Sequence, residues 1–344
     1  MPGDHEIDRN LNCKVFRKKI PVGESGFAKL VKMLVICFWA LIYVPKFNIT
    51  TLHCGQVLST GLAGLVCRAV FKTRYIVFVC GSESIRFGRL PVLRKLMKKI
   101  LQHADKIIAN SEHTKQEYVQ SGIGQERIAV FTPGVDTDVF KATPGTNFFR
   151  EKYQLGSDPV LLTVSRLDER KGHDMVLQVL PHILVKFPTV KYLIAGTGRE
   201  EGRLKSLVQQ LDLKNHVIFA GYIDENKLPA LYNAGDIFIL PNRKTTNHTQ
   251  LRGDIEGFGI VFLEAAACGK PTIAGNNGGA TEAVKNGVSG LLVNPEKTNE
   301  INEALLQLLE DSTLAKTLGR NGRTRCTEIF QWSKLANKLE TEIL

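Results

Sequence analysis

Along nearly the whole chain, short apolar runs alternate with longer segments of helical periodicity, and this alternation restricts the fold more than any other feature. In the first part the strand candidates are KVFRKKI, ITTLH, YIVFVC, KIIAN and IAVF; in the second they are PVLLTVS, VKYLIAG, HVIFAG, DIFILP, PTIAG and GLLV. Strand–helix alternation predicts parallel sheets joined by right-handed crossovers. Two such series predict two doubly wound α/β domains. The break falls at TPGVDTDVFKATPGTN, residues 132–147, where Pro, Gly, Thr and Asp concentrate. A chain of 344 residues is also too long for one small core. Ligands of two open sheets gather at strand C-terminal ends, in the cleft between domains.

Charge is distributed unequally. Residues 1–150 hold 22 Lys/Arg and 11 Asp/Glu, against 23 and 23 in residues 151–344, so the net +11 resides in the first part. That asymmetry points to an anionic partner there. The segment LPVLRKLMKKILQHA, 90–104, puts Val92, Leu93, Leu96, Met97, Ile100 and Leu101 on one helical face and Arg94, Lys95, Lys98 and Lys99 on the other. It reads equally as a helix with a solvated basic face or as a surface for anionic lipid headgroups. Few aromatics interleave the charges, which argues against nucleic acid. The most apolar run, MLVICFWALIYV at 33–44, is short for a membrane span and reads as a helix buried over a sheet, with membrane contact as the alternative. Seven scattered cysteines without a C-x-x-C pair argue against a zinc site or a disulfide framework and for a reducing compartment.

Three stretches carry candidate chemistry. In DIEGFGIVFLEAAACGKP, 254–271, Gly257 and Gly259 flank Phe258, a helix is predicted from Ile260 to Cys268, and Gly269 and Pro271 end it. Glu256 precedes the helix and Glu264 lies inside it. The N–H groups of a helix start favour a bound anion. The two carboxylates suit sugar and ribose hydroxyls on either side of a phosphate, although an acidic helix start plus a surface glutamate has the same spacing. In TVSRLDERKGHDM, 163–175, Arg166 and Lys171 follow a strand end and suit a diphosphate, or form a solvated loop. In LIAGTGREEGRLK, 193–205, glycines 196, 198 and 202 miss the dinucleotide G-x-G-x-x-G register by one residue, which weakens a nicotinamide reading. The D-x-D at 136–138 lies in the interdomain turn, and the histidines lack metal-ligand spacing.

Taken together, SRLDERKG, AGTG, FAGYI, AGDIFILPN and EGFGIVFLEAAACGKPTIAGNNGGATEAVKNGVSGLLVNP resemble the retaining GT-B glycosyltransferases with the E-x7-E motif, the glycosyl transferases group 1 family, and within it enzymes of the phosphatidylinositol mannosyltransferase type. The resemblance runs from about Ile49 to the C-terminus and is most specific over 163–295. It implies two Rossmann-like domains facing a cleft: residues 1–140 on the acceptor side, 141–328 binding a nucleotide-sugar donor, and 329–344 a terminal helix crossing back to the first domain. It implies transfer of a hexose, mannose or glucose type, from GDP-mannose or a UDP-sugar to a lipid-linked or cell-envelope acceptor. No metal cofactor is implied, and the location is cytoplasmic, with peripheral contact to an anionic membrane surface. Arg166 and Lys171 would neutralise the donor diphosphate, and Glu256 would hold sugar hydroxyls. Gly257, Phe258 and Gly259 would line the sugar, the amides of Ile260 and Val261 would bind phosphate, Glu264 would hold the ribose, and the backbone near Ile223 would edge the base. Two departures stand out. Cys80 occupies the place where many relatives carry a histidine, which makes Cys80 and nearby Glu83 the acceptor-side candidates. The family pattern also opens with a strand–loop–helix that this sequence lacks, so the first domain is expected to be incomplete and the chain impaired in catalysis, a membrane-associated fragment with a residual donor site being the alternative.

Overall fold

The computed structural model describes residues 13–17, 26–81, 90–143, 148–247 and 252–343. In chain order the first part comprises α1 (Gly26–Lys46), β1 (Thr51–Cys54), α2 (Ser59–Phe71), β2 (Arg74–Val79), α3 (Pro91–His103), β3 (Lys106–Ala109), α4 (Glu112–Gln120) and β4 (Ile128–Val130). There follow α5 (Phe148–Lys152), β5 (Val160–Val164), α6 (His173–Lys186), β6 (Lys191–Ala195), α7 (Glu201–Gln210), β7 (Val217–Gly221), α8 (Leu228–Ala234) and β8 (Ile237–Leu240). A short antiparallel pair, β9 (Thr245–Asn247) and β10 (Arg252–Asp254), precedes α9 (Ile260–Ala267), β11 (Thr272–Gly275), α10 (Ala280–Ala283) and β12 (Leu291–Val293). The chain ends in α11 (Thr298–Glu310), α12 (Ser312–Glu328) and α13 (Trp332–Lys338).

Two parallel sheets result, one with strands in the order β1-β2-β3-β4 and one in the order β12-β11-β8-β5-β6-β7. They are the sheets of two α/β domains facing a cleft. The central strands read as continuous apolar runs because helices cover both faces. In the second sheet, Leu162, Leu193, Phe238 and Leu240 fill one core, while Leu161, Tyr192, Ile194, Ile237 and Ile239 fill the core on the opposite face. Side chains of one strand alternate between the two, as the period of 2 requires. Tyr75, Val77, Ile107 and Ala109 centre the core of the first domain.

Two sequence readings need correction. Residues 14–17 of the KVFRKKI segment are not in a strand, and its remainder lies outside the described residues. The 33–44 run belongs to a helix of 21 residues that is not buried: Phe27, Leu30, Leu34, Phe38 and Ile42 are exposed at spacings of three and four residues, forming one stripe. Helical periodicity alone cannot tell which neighbour covers an apolar face, and α1 packs mainly on α2. Among the described residues α1 is the helix long and apolar enough to cross a membrane.

The two domains are joined twice. Val135 donates to the Phe330 carbonyl (2.8 Å), and Gln331 Oε1 accepts from the backbone N–H and the hydroxyl of Thr137 (2.9 and 2.8 Å). Arg323 donates to the carbonyls of Thr137, Phe140 and Ala267. Beyond this junction, Leu339 packs against Ile76 and Ile108 of the first domain.

Candidate functional site

The strand order of the second sheet, read from β5, proceeds one way through β6 and β7 and the other way through β8, β11 and β12. The direction of winding therefore switches between β5 and β8, and a crevice opens at their C-terminal ends. Both chemistry-bearing stretches arrive there: Ser165–Lys171 leaves β5, and the Glu256 loop lies between β8 and α9.

Gly259 begins α9 with φ at +90°, a conformation that favours glycine, and no side chain of the described residues caps the first amides of the helix. Ile260 is half-exposed at this start. The amides and the helix dipole therefore present a positive end to the crevice. Glu256 is 9% exposed, and its Oε2 accepts from Lys171 Nζ at 2.5 Å and Arg170 Nη1 at 2.8 Å. Oε1 accepts no hydrogen bond from the described residues. Burial alone would raise the Glu256 carboxyl; Lys171 and Arg170 outweigh it and hold it below the usual carboxylate range. Burial pulls the Lys171 ammonium down, against the pull of Glu256. Two cations, Arg170 and the buried Lys171, thus meet one carboxylate oxygen at the crevice.

The turn carrying these cations is braced from β8. Arg243 donates its N–H to the Arg170 carbonyl (2.8 Å) and its guanidinium to Asp174 (2.9 Å). Arg166 stands apart: its side chain is 69% exposed and lies 3.5 Å from Asp168. Arg170, not Arg166, joins Lys171 at Glu256. The sequence places both arginines in one loop, and only the fold of the one-turn helix Glu169–Lys171 decides which points inward.

Glu264 sits one helical layer deeper, where the buried Tyr232 hydroxyl donates to its Oε2 at 2.6 Å. Burial holds the Glu264 carboxyl above its usual range against that hydrogen bond. Val261 and Ile223 are partly buried against the same core. Phe258 is 2% exposed and its ring packs edge-on against Phe330, so its backbone rather than its ring is available to line a ligand.

Across the cleft, Gly257 faces the first domain. A Cβ there would lie 2.5 Å from the Cys80 carbonyl and 2.8 Å from Asn110 Nδ2, which explains the glycine. Cys80 is exposed at this contact, and Glu83 lies outside the described residues. Asn110 is a neighbour of Gly257 across the cleft that sequence spacing did not single out. The D-x-D motif is a turn, with Asp136 Oδ1 accepting from the N–H groups of Asp138 and Val139. Gly196 and Gly198 permit close approach to the Ser165 and Leu167 carbonyls, so these glycines pack the Arg166 loop. Among the described residues no group of three His, Cys, Asp or Glu side chains is placed to hold a metal ion.

The family model described as "Glycosyl transferases group 1" matches residues 146–325, over half the chain, and that described as "Glycosyltransferase Family 4" matches residues 5–139. The chain belongs to the group 1 glycosyl transferases. Among curated relatives, this glycosyltransferase is 32% identical over 298 residues to the GDP-mannose-dependent alpha-(1-6)-phosphatidylinositol monomannoside mannosyltransferase of Mycobacterium tuberculosis, covering 86% of this chain and 76% of the relative. The enzyme of the same name from Mycolicibacterium smegmatis is 33% identical over 290 residues, covering 84% and 75%. Among solved structures, Anabaena Alr3699/HepE in complex with UDP and glucose matches with a TM-score of 0.78 at 20% identity, over 93% of this chain and 83% of that one. Sucrose-phosphate synthase from Thermosynechococcus elongatus matches at 0.75 and 25% identity, over 90% and 77%. The two-domain arrangement is therefore that of the GT-B glycosyltransferases, and this glycosyltransferase is a sugar-transferring enzyme acting on a nucleotide-diphosphate sugar.

Proposed function

We propose that this glycosyltransferase moves a hexose, with retention of configuration, from a nucleotide-diphosphate sugar to a lipid-linked or cell-envelope acceptor. The observation that carries the reading is the buried Arg170–Lys171–Glu256 cluster beside the open start of α9. In this mechanism the sugar acquires oxocarbenium character as the diphosphate departs. Lys171, the solvent-facing Arg166 and the α9 amides stabilise the charge growing on the leaving group. Arg170 keeps Glu256 ionised when Lys171 turns to the diphosphate, and Glu256 Oε1 holds donor hydroxyls. Glu264 takes the ribose through its oxygen not bonded to Tyr232. The acceptor hydroxyl, approaching past Cys80 and Asn110, gives its proton to the departing phosphate on the same face. The two glutamates are grips on one donor and not the acid–nucleophile pair of a hydrolase.

The likeness to mannosyltransferases favours GDP-mannose, with UDP-sugars as the competing donors. A thermal-shift screen of GDP- and UDP-sugars, followed by transfer of labelled sugar to extracted membrane lipids, tests the reading. A native-state ligand at about a hundred times its Kd adds about 2.7 kcal/mol of stability. Glu256→Ala and Lys171→Ala abolish transfer in this scheme, and unchanged turnover in either rejects the site. Donor binding without transfer in the wild type supports instead a non-catalytic membrane-binding module with a residual donor site.

An anionic membrane surface is the proposed setting, with α1 presenting its apolar stripe and α3 its exposed Arg94, Lys95, Lys98 and Lys99. Phe27, Leu34 and Phe38 changed to Ser, or Lys95, Lys98 and Lys99 changed to Glu, reduce sedimentation with vesicles containing phosphatidylserine. Equal sedimentation of all three proteins removes this part of the proposal.

A further inference from the structure

The helix α4 of the first domain begins with amides that no intrahelical carbonyl can satisfy. Ser111 Oγ takes the N–H of Thr114 at 3.0 Å. The two preceding N–H groups go elsewhere: Glu112 donates to Glu282 Oε2 at 2.8 Å and His113 donates to Glu282 Oε1 at 2.9 Å. Glu282 stands about 170 residues away in sequence, in α10 of the other domain. One carboxylate thus completes the cap of a helix across the cleft, with a charge of the sign that the helix start favours.

The short helix carrying Glu282 is itself tied to the donor loop. At its start, Gly279 donates its N–H to the Glu256 carbonyl at 2.9 Å, and a Cβ on Gly279 would run into the Gly257 carbonyl. At its end, Arg325 Nη2 donates to the Glu282 carbonyl at 3.2 Å. A continuous line of contacts therefore runs from the α4 amides through Glu282 and Gly279 to the backbone of Glu256, the residue whose side chain pairs with Lys171 and Arg170.

We infer that Glu282 is a positioning residue: its grip on the start of α4 sets the Glu256–Gly259 loop against the acceptor-side domain, and releasing it lets the cleft open. For its catalytic consequence, the inference rests on the transfer reaction proposed above. Glu282 touches neither reacting group; it fixes the distance between the domain that holds the donor and the face at Cys80 and Asn110 where the acceptor arrives. Misplacement of reacting groups by a fraction of a bond length is enough to slow a bimolecular transfer.

The test compares wild type, Glu282→Gln and Glu282→Ala, with Ser111→Ala as a control that loosens the α4 cap within its own domain. Four quantities are read: hydrogen exchange at the Glu112 and His113 amides, the radius of gyration by small-angle scattering, GDP and UDP affinity by calorimetry, and kcat with KM for the donor. In Glu282→Ala, exchange at the two amides rises about tenfold to a hundredfold, the range for losing charge-assisted hydrogen bonds. The radius of gyration grows, kcat falls by a similar factor, and nucleotide affinity stays within about twofold of wild type. Glu282→Gln is intermediate, because an amide accepts one of the two N–H groups and repels the other. Ser111→Ala leaves kcat and the radius of gyration unchanged. Unchanged exchange and scattering in Glu282→Ala overturn the inference. So does a loss of nucleotide affinity as large as the loss of kcat, since Glu282 would then merely support the donor loop. If the wild type transfers no sugar from any donor, the proposed function fails, while exchange and scattering still decide whether Glu282 joins the domains.

Discussion

Removing Glu256 should damage the fold far more than removing Lys171, although the two form one ion pair. Glu256 serves two cations with one oxygen, and the side chains of Glu256, Arg170 and Lys171 are all between 8% and 11% exposed. Glu256→Ala leaves the buried Lys171 without the carboxylate it pairs with, and such orphaning costs about 3–5 kcal/mol. Lys171→Met leaves Glu256 paired with Arg170 and substitutes a chain of similar volume, so the cost reduces to one charged hydrogen bond, about 1.5–3 kcal/mol, less the desolvation no longer required. In a unit of 150–250 residues, each kcal/mol moves Tm by roughly 2–4 °C, which puts the Glu256→Ala shift at roughly 6–20 °C. The pH dependence provides an internal check. Burial already pulls Lys171 below its ordinary 10.5. Without Glu256 it is pulled further, so between the folded and unfolded values the unfolded chain binds more protons and stability rises with pH. Glu256→Ala therefore recovers part of its loss as pH is raised toward 10.5, more steeply than wild type. Urea midpoints at constant slope, measured from pH 7 upward, give both quantities. Equal costs for the two substitutions, or a Glu256→Ala cost below about 1 kcal/mol, would refute the shared-carboxylate argument.

Further outcomes are expected elsewhere. His173 is buried, and burial, aided by Lys171, lowers its imidazole from 6.5 to about 4. Between those values the unfolded chain holds a proton that the folded one lacks, so stability falls by about 3 kcal/mol as pH drops through that window. His173→Asn flattens this acid slope, and parallel curves for the two proteins would contradict the assignment. Gly257→Ala forces a methyl against the Cys80 carbonyl and Asn110; nucleotide affinity by calorimetry holds while kcat falls about tenfold, and an unchanged kcat would mean the two surfaces part in solution. Arg323→Ala removes three hydrogen bonds to carbonyls at the junction, and a melt lowered by about 2–4 kcal/mol is the expected reading, against little change if solvent replaces them.

The sheets were legible because both helix-covered faces force continuous apolar strands, so Val160–Val164 and Ile237–Leu240 announce themselves without any neighbour being known. The α9 start was legible for a local reason too, since Gly259, with its positive φ, serves a turn confined to a few residues. What escaped depends on contacts between distant segments. Tyr232 reaches Glu264 across 32 residues of sequence and Arg170 reaches Glu256 across 86. No spacing rule covers such pairs. The apolar run in α1 misled because composition records that a face avoids water but not what shields it. Glu282 escaped for the strongest version of this reason, its partners being backbone amides in another domain, which carry no sequence signature at all.

The double junction between the domains has a kinematic consequence. The two covalent crossings lie side by side, bridged at Val135 and Gln331. Two bodies connected at a single point can swing and also twist freely. Two adjacent connections suppress the twist, because rotating one strand around the other would break the Thr137–Gln331 and Val135–Phe330 hydrogen bonds. What survives is a rotation about one line, with a few terminal residues absorbing the dihedral change. Any excursion of the second domain must then retrace its own arc, so Glu282 returns to the same two amides, and the faces at Gly257 and Cys80 meet in the same register each time.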